Sequence, residues 1–158
     1  MKKALILGRF QPLHRGHLSL FEAVIDDGYE LLVGIGSSIE KRTENNPYSS
    51  NERSKMIKAV LSNYECKYKI YEIPDINNHD LYVKHLENIV PAFDVVYSGN
   101  NLVKILFENA GYHVNLPKII NREAWQGASI RQAMKVGDDW EIDVPANVAK
   151  IISNIDLS

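Results

Sequence analysis

Two histidines, His14 and His17, stand three residues apart just beyond an apolar run that ends in Gly8. At the opening of a helix, residues at that spacing share a face, so both imidazoles reach one ligand. A helix start also presents unpaired backbone N–H groups and the positive end of the dipole, a setting that attracts an anion. Gly16, between the histidines, lets a phosphate approach the backbone with no Cβ in the way. Arg9, at the mouth of the apolar run, adds a planar donor suited to phosphate oxygens. The segment GRFQPLHRGH, residues 8–17, is therefore predicted to be a phosphate site on a strand–turn–helix. It is neither of the common nucleotide loops, since no GxxxxGK(S/T) occurs and Gly8 opens no GxGxxG pattern. A histidine pair could also be half of a zinc site, but the single cysteine, Cys66, and the lack of an HExxH run leave it without partners.

Such a site needs a strand to deliver Gly8 and a helix to carry the histidines. Apolar runs at residues 4–8, 30–36 and 94–99 alternate little, which suits strands covered on both faces. Residues 68–73 alternate and stop at Pro74, and residues 112–116 form a weaker fifth run. Helical stripes lie between them. Leu18, Phe21, Val24 and Ile25 form one, stopped by Gly28. Met56, Ile57, Val60 and Leu61 form a second, opened by the capping box Ser49-x-x-Glu52. Leu86, Ile89 and Val90 end at Pro91, and Leu102, Ile105 and Leu106 end at Gly111. Ile130, Ala133 and Met134 precede Gly137, and Val148, Ile151, Ile152 and Ile155 follow Pro145. This alternation predicts an α/β fold: a Rossmann-like, doubly wound, mostly parallel five-stranded sheet with flanking helices and a short helical C-terminal region. Ligands of such sheets sit beyond the carboxyl ends of the strands, so the segments after Leu7, Ile35, Ile73 and Tyr97 are where a site is expected. The polar stretch 37–51 is the longest loop and a candidate functional one.

The chain has 158 residues, about one domain, read as a single unit over 1–158. Eighteen basic against twenty acidic residues give a net charge of −2, which argues against a dedicated nucleic-acid binder. One cysteine excludes an internal disulfide framework. No apolar run has the length of a membrane span and no secretory segment opens the chain, so a soluble, cytoplasmic protein is expected.

The segment 8–17 resembles the (T/H)xGH signature of nucleotidyltransferases that move AMP or CMP from a nucleoside triphosphate. Within them, GRFQPLHRGH is similar to the archaeal nicotinamide-nucleotide adenylyltransferases. Three further blocks resemble that family in the right order: NPYSSNER at 46–53 beside its NPFTAGER, VYSGN at 96–100, and GASIR at 127–131 beside its GTxxR. The resemblance implies ATP and nicotinamide mononucleotide as substrates, NAD and pyrophosphate as products, and Mg2+ bound mainly through the ATP phosphates. It implies His14, His17, Arg9 and Arg131 as catalytic residues. ATP would meet Gly8, Arg9, Phe10, His14, Gly16, His17, Ser129 and Arg131. The acceptor nucleotide would meet Asp75, Tyr82 (where the family commonly has Trp), Arg53, Ser98, Gly99 and Asn100. It also implies a homo-oligomer, often a hexamer.

Several residues carry plainer readings. Glu52 is expected to serve the capping box. Arg53 is a cation in a first helical turn, which is unfavourable unless it meets a phosphate or a carboxylate. Ser98 to Asn100 can end a strand, with Asn100 or Asn101 capping the next helix. Tyr82 is equally a stacking surface for the cationic nicotinamide ring or a half-buried helix residue, and Trp125, just before the GASIR block, either borders the ligand or packs, packing being the commoner role of a lone Trp. His79, His85 and His113 are read as ordinary. Two positions depart from the family. Ala128 lacks the hydroxyl of the GTxxR threonine, with Ser129 as a replacement candidate. Asn45 stands where some relatives carry arginine, with Lys41 or Arg42 as nearby substitutes. The alternative readings are a pantetheine-phosphate adenylyltransferase, whose first turn usually reads G(S/T)FDP, and a non-catalytic ATP-binding sensor.

Overall fold

The computed structural model describes residues 2–118 and 121–157. Five strands form one sheet: β1 (Lys3–Gly8), β2 (Glu30–Ile35), β3 (Tyr68–Glu72), β4 (Val95–Tyr97) and β5 (His113–Asn115). The order is β3-β2-β1-β4-β5, and every pairing is parallel, where the sequence predicted a mostly parallel sheet. Six helices cover it: α1 (Arg15–Asp26), α2 (Ser50–Leu61), α3 (Tyr82–Ile89), α4 (Asn101–Asn109), α5 (Gly127–Val136) and α6 (Ala146–Ser153). Among the described residues, no helix is long and apolar enough to cross a membrane.

The lack of alternation in β1, β2 and β4 has the predicted cause, since both faces of the sheet are covered. Leu5, Leu32 and Val96 point into one apolar cluster with Leu86 of α3 and Phe107 of α4. Their neighbours Ala4, Ile6, Leu31, Val33, Val95 and Tyr97 point to the other face, where Phe21, Met56, Ile130 and Val148 bring α1, α2, α5 and α6. Each strand thus feeds two cores, as successive side chains must. The stripe expected on α4 is corrected by one residue. Leu102 and Ile105 are 46% and 54% exposed, while Val103, Leu106 and Phe107 pack inward. Both triplets have helical spacing, and burying the large Phe107 ring decides the phase.

Local signals set several ends. Gly28 takes φ +83° just after α1, a left-handed turn that glycine adopts without strain. At α2, Ser49 Oγ accepts from Glu52 N–H and Glu52 Oε1 accepts from Ser49 N–H, which is the predicted capping box. Asn100 caps α4 by accepting from Leu102 N–H at 2.8 Å.

Chain order reverses beside β1: β2 and β3 lie on one side of it, β4 and β5 on the other. The loops after β1 and β4 therefore part company and leave a crevice at the carboxyl ends of the strands. Gly36 N–H donates to Gly8 O at 2.8 Å, carrying the β1–β2 ladder one step into the floor of that crevice.

Candidate active site

The crevice has a volume of about 480 Å³, and its walls include Gly8, Arg9, His14, Gly16 and His17 from the first turn. His14 is the N-cap of α1, with extended backbone geometry. Its Nδ1 accepts from Gly16 N–H at 3.1 Å, and His17 Nδ1 accepts from His14 N–H at 3.1 Å. The pair forms a capping box built from imidazoles instead of a hydroxyl and a carboxylate. Because both Nδ1 atoms accept, each neutral ring carries its proton on Nε2. The rings stack with centroids 3.8 Å apart. Burial, and then the Arg131 guanidinium, pulls the His14 pKa down to about 4. Burial, and then His14, holds His17 well below its usual value. At neutral pH the pair therefore offers two uncharged Nε2–H donors beside the start of α1.

Two glycines, Gly16 and Gly127, set the positions of these groups. A Cβ on Gly16 would lie 2.9 Å from His14 Cε1 and 3.0 Å from the Trp125 carbonyl oxygen. The space left by the missing Cβ at Gly16 is thus taken by the His14 ring and by the loop before α5, which corrects the expectation that it admits phosphate. A Cβ on Gly127 would lie 2.6 Å from Arg131 Nη1. That nitrogen donates to the Gln11 carbonyl at 2.8 Å, anchoring the guanidinium to the first turn. Arg131 lines a second hollow of about 390 Å³, between α5 and the 43–48 loop, and acts on His14 from there.

On the other side of the crevice, Asp75 accepts from Ser37 Oγ at 3.0 Å, and Tyr82 lies edge-on to Phe107 with ring centroids 6.4 Å apart. Tyr82 is a half-buried helix residue, as one of its two readings had it, and it also forms part of the wall. Ser98, Gly99 and Asn100 also line the crevice. Ser98 Oγ accepts from Asn100 N–H at 3.0 Å, so both side chains are engaged in shaping the turn.

Three further expected contacts are corrected. Arg53 is completely buried and lies outside the walls of both cavities. Its guanidinium donates to six backbone carbonyls, those of Arg9, Gly36, Ser37, Ser38, Glu40 and Ser49, at 2.8–3.4 Å. Carbonyl dipoles from two loops replace the anion. Phe10 is 1% exposed and packs beneath His17, with ring centroids 4.4 Å apart, so it supports the histidine from within the core. Ser129 Oγ donates to the Glu123 carbonyl at 2.7 Å and lines neither cavity, so it does not stand in for the hydroxyl missing at Ala128. Arg42 is likewise engaged, in a fork on Glu52 at 2.7 and 2.8 Å.

The structure also brings forward residues outside the expected site set. Arg122 lines the crevice and donates to the Gly99 carbonyl, joining the 121–126 loop to the end of β4. Trp125 and Gln126 form part of the wall. Gln11 is buried and clamps Tyr48 from both sides, donating to its carbonyl and accepting from its N–H, each at 2.9 Å. None belongs to a periodic pattern. An isolated arginine before the GASIR block was the only available signal.

The donor set bears on any metal. Among the described residues, no group of three His, Cys, Asp or Glu side chains could hold an ion. The crevice offers one carboxylate, Asp75, against Arg9, Arg122 and two N–H donors. This fits a divalent ion that arrives on phosphate oxygens and keeps water, as Mg2+ does.

A parallel sheet with two imidazole N–H donors at a helix start beside its topological switch point has the architecture of nucleotide-binding α/β proteins. Comparison with known proteins narrows this. A family model described as cytidylyltransferase-like matches residues 5–150. The chain is 40% identical over 154 residues to the nicotinamide-nucleotide adenylyltransferase of Methanococcus aeolicus, covering 98% of this chain and 90% of that one. It is 40% identical over 157 residues to the enzyme of the same name from Thermoplasma acidophilum, covering 98% and 87%. A crystal structure of a bifunctional NMN adenylyltransferase/ADP ribose pyrophosphatase from Francisella tularensis, complexed with AMP and a manganese ion, shares the fold with a TM-score of 0.72 at 17% identity. That match covers 97% of this chain, which spans about half the length of the bifunctional protein, 49%. The chain belongs to the cytidylyltransferase-like nucleotidyltransferases, within the family of archaeal nicotinamide-nucleotide adenylyltransferases.

Proposed function

We propose that the protein transfers AMP from ATP to nicotinamide mononucleotide, forming NAD and releasing pyrophosphate. The observation that carries this reading is the pair of Nε2–H donors at the start of α1, flanked by Arg9 and Arg131. An oxygen of the acceptor's 5′-phosphate attacks the α-phosphorus in line. The bond from that phosphorus to the oxygen bridging to the β-phosphate breaks, and pyrophosphate leaves with the electron pair. No protein nucleophile is needed. Alignment of the two nucleotides alone can lower the barrier by about 7–11 kcal/mol. His14 and His17 each donate an Nε2–H to the α-phosphate oxygens as charge builds there. Arg9 and Arg131 hold the β- and γ-phosphates. A bound Mg2+ supplies Lewis-acid neutralisation of phosphate charge. On the acceptor side, Tyr82 offers a ring face and Asp75 a negative charge to the cationic nicotinamide ring, while Ser98, Gly99 and Asn100 border the nucleotide through backbone. We further propose that the protein is a homo-oligomer, a hexamer being the form the family resemblance implies.

The test supplies ATP and Mg2+ with nicotinamide mononucleotide, nicotinate mononucleotide or phosphopantetheine in turn, and weighs the products by mass spectrometry. A dinucleotide appearing with pyrophosphate is expected. Dephospho-coenzyme A would assign the chain to the pantetheine enzyme instead, and ATP bound without turnover would make it a sensor. His17→Ala is expected to lower kcat about 10²- to 10³-fold, the effect of removing one donor from a developing charge. Near-normal turnover in that variant would refute the role of the pair.

A further inference from the structure

The backbone that continues β3 is last tied to the sheet at Ile73, whose N–H donates to the Ile35 carbonyl at 2.8 Å and whose carbonyl accepts from Ser38 N–H at 3.2 Å. The chain then passes through Pro74, which has no N–H to carry the ladder further. Among the described residues, two hydrogen bonds hold Pro74 and Asp75. Ser37 Oγ donates to the Asp75 carboxylate at 3.0 Å, and His85 Nε2 lies 2.9 Å from the Pro74 carbonyl oxygen. A carbonyl only accepts, so Nε2 carries the proton. His85 follows Tyr82 by three residues on α3, and the two share a face of that helix. Leu81 gives the start of α3 no side-chain cap, so the helix that carries Tyr82 lacks the usual anchor and the His85 bond supplies one. Asp75 and Tyr82 both wall the crevice, whereas His85 stands behind them. Burial, and then the Asp75 carboxylate, holds the Tyr82 hydroxyl above its ordinary pKa, which places the two groups within each other's field.

We propose that His85 is a positioning residue for the acceptor pocket: its Nε2–H, by holding the Pro74 carbonyl, fixes the spacing between Asp75 at the strand end and Tyr82 on α3. A flat cationic ring gains from both groups only when the Tyr82 face and the Asp75 charge reach it together, and the tether joins the two elements that carry them. The effect is confined to one substrate. Arg9, His14 and His17 stand on the turn after β1 and at the start of α1, and no hydrogen bond from His85 reaches either element. This role rests on the adenylyl-transfer reading, and it adds to the site a residue outside the crevice walls.

The experiment measures kcat and the separate KM values for ATP and nicotinamide mononucleotide in the full chain, with Mg2+ present, for the wild type, His85→Ala, His85→Gln and His85→Asn. His85→Ala is expected to raise the acceptor KM about three- to tenfold, the worth of one hydrogen bond to a carbonyl. The ATP KM and kcat should stay within about twofold, because binding lost equally from ground and transition states appears in KM alone. Glutamine carries its Nε2–H as many bonds from Cβ as histidine does, so His85→Gln should recover most of the loss. The asparagine amide falls one bond short, so His85→Asn should behave like alanine. An unchanged acceptor KM in His85→Ala overturns the proposal, as does an equal rise in the ATP KM, the mark of general loosening. A glutamine variant no better than the asparagine one overturns it too, and that comparison holds even where the alanine variant fails to fold. A wild type that forms no dinucleotide overturns the underlying reading and this role with it, whereas an active wild type with an indifferent His85 overturns this role alone.

Discussion

Replacing Arg53 by methionine tests whether this residue is a scaffold or a ligand contact. Its guanidinium ties the ends of β1 and β2 to the start of α2 by donating to the carbonyls of Arg9, Gly36 and Ser49, and it gathers the following loop through Ser37, Ser38 and Glu40. A hydrogen bond from a charged donor contributes about 1.5–3 kcal/mol, and bonds that share one guanidinium do not add. The carbonyls of Ser37, Ser38 and Glu40 belong to a loop that can turn toward water. Those of Arg9, Gly36 and Ser49 are held at element ends. Counting two of these as irreplaceable, with the second worth less than the first, bounds the loss in Arg53→Met at about 6 kcal/mol and places it at about 3–5 kcal/mol. That is a large part of the 5–15 kcal/mol that usually holds a domain together, and it corresponds to a fall in Tm of roughly 8–15 °C. Arg53→Lys keeps a cation with three donors and should recover about half. The assay is urea unfolding followed by circular dichroism, with KM measured separately for ATP and for the acceptor. The ATP KM is expected to rise because the first turn carrying Arg9 loosens. Stability within about 1 kcal/mol of wild type, with only the acceptor KM affected, would refute the scaffold argument and restore the contact predicted from sequence.

Three further outcomes follow from the same geometry. The pKa of His14 is near 4 in the folded chain and near 6.5 when unfolded, so the unfolded state binds more protons between those values. Stability is therefore fully present above pH 6.5 and lost as pH falls toward 4, by up to about 3 kcal/mol from this residue; a flat urea midpoint across that window would contradict it. Gly16→Ala puts a methyl 2.9 Å from the His14 ring and 3.0 Å from the Trp125 carbonyl, and should lower kcat/KM at least about tenfold with a stability loss of roughly 1–3 kcal/mol. Wild-type kinetics in that variant would show that the two elements can part freely. Ser129→Ala removes a hydroxyl engaged with Glu123, so the ATP KM should stay within about twofold and stability within about 1 kcal/mol; a tenfold rise in KM would return Ser129 to the phosphate site.

What the sequence determined by itself is what short-range physics controls. Apolar spacing marked the five strands and six helices, because burial on two faces of a sheet or one stripe of a helix writes its period into neighbouring residues. The Ser49–Glu52 box and the Asn100 cap are contacts two or three residues apart, legible in a linear reading. Even the proposed phosphate site falls in this class, since the strand end, the turn and the helix start that would build it are contiguous from Gly8 to His17. Tertiary structure decided what each remaining side chain faces. Arg53 was correctly recognised as a cation in need of partners, but those partners are carbonyls reaching back as far as Arg9, 44 residues away. Arg131 is anchored to Gln11 across 120 residues, and Gln11 in turn clamps Tyr48. The α4 stripe was misphased because two apolar triplets had equal spacing and only the Phe93 and Tyr112 rings around Phe107 could choose between them. Gly16 keeps its glycine for a carbonyl of residue 125, which no local pattern contains. Residue types and periods set which elements form, and the way those elements pack sets which donors are left free to meet a phosphate.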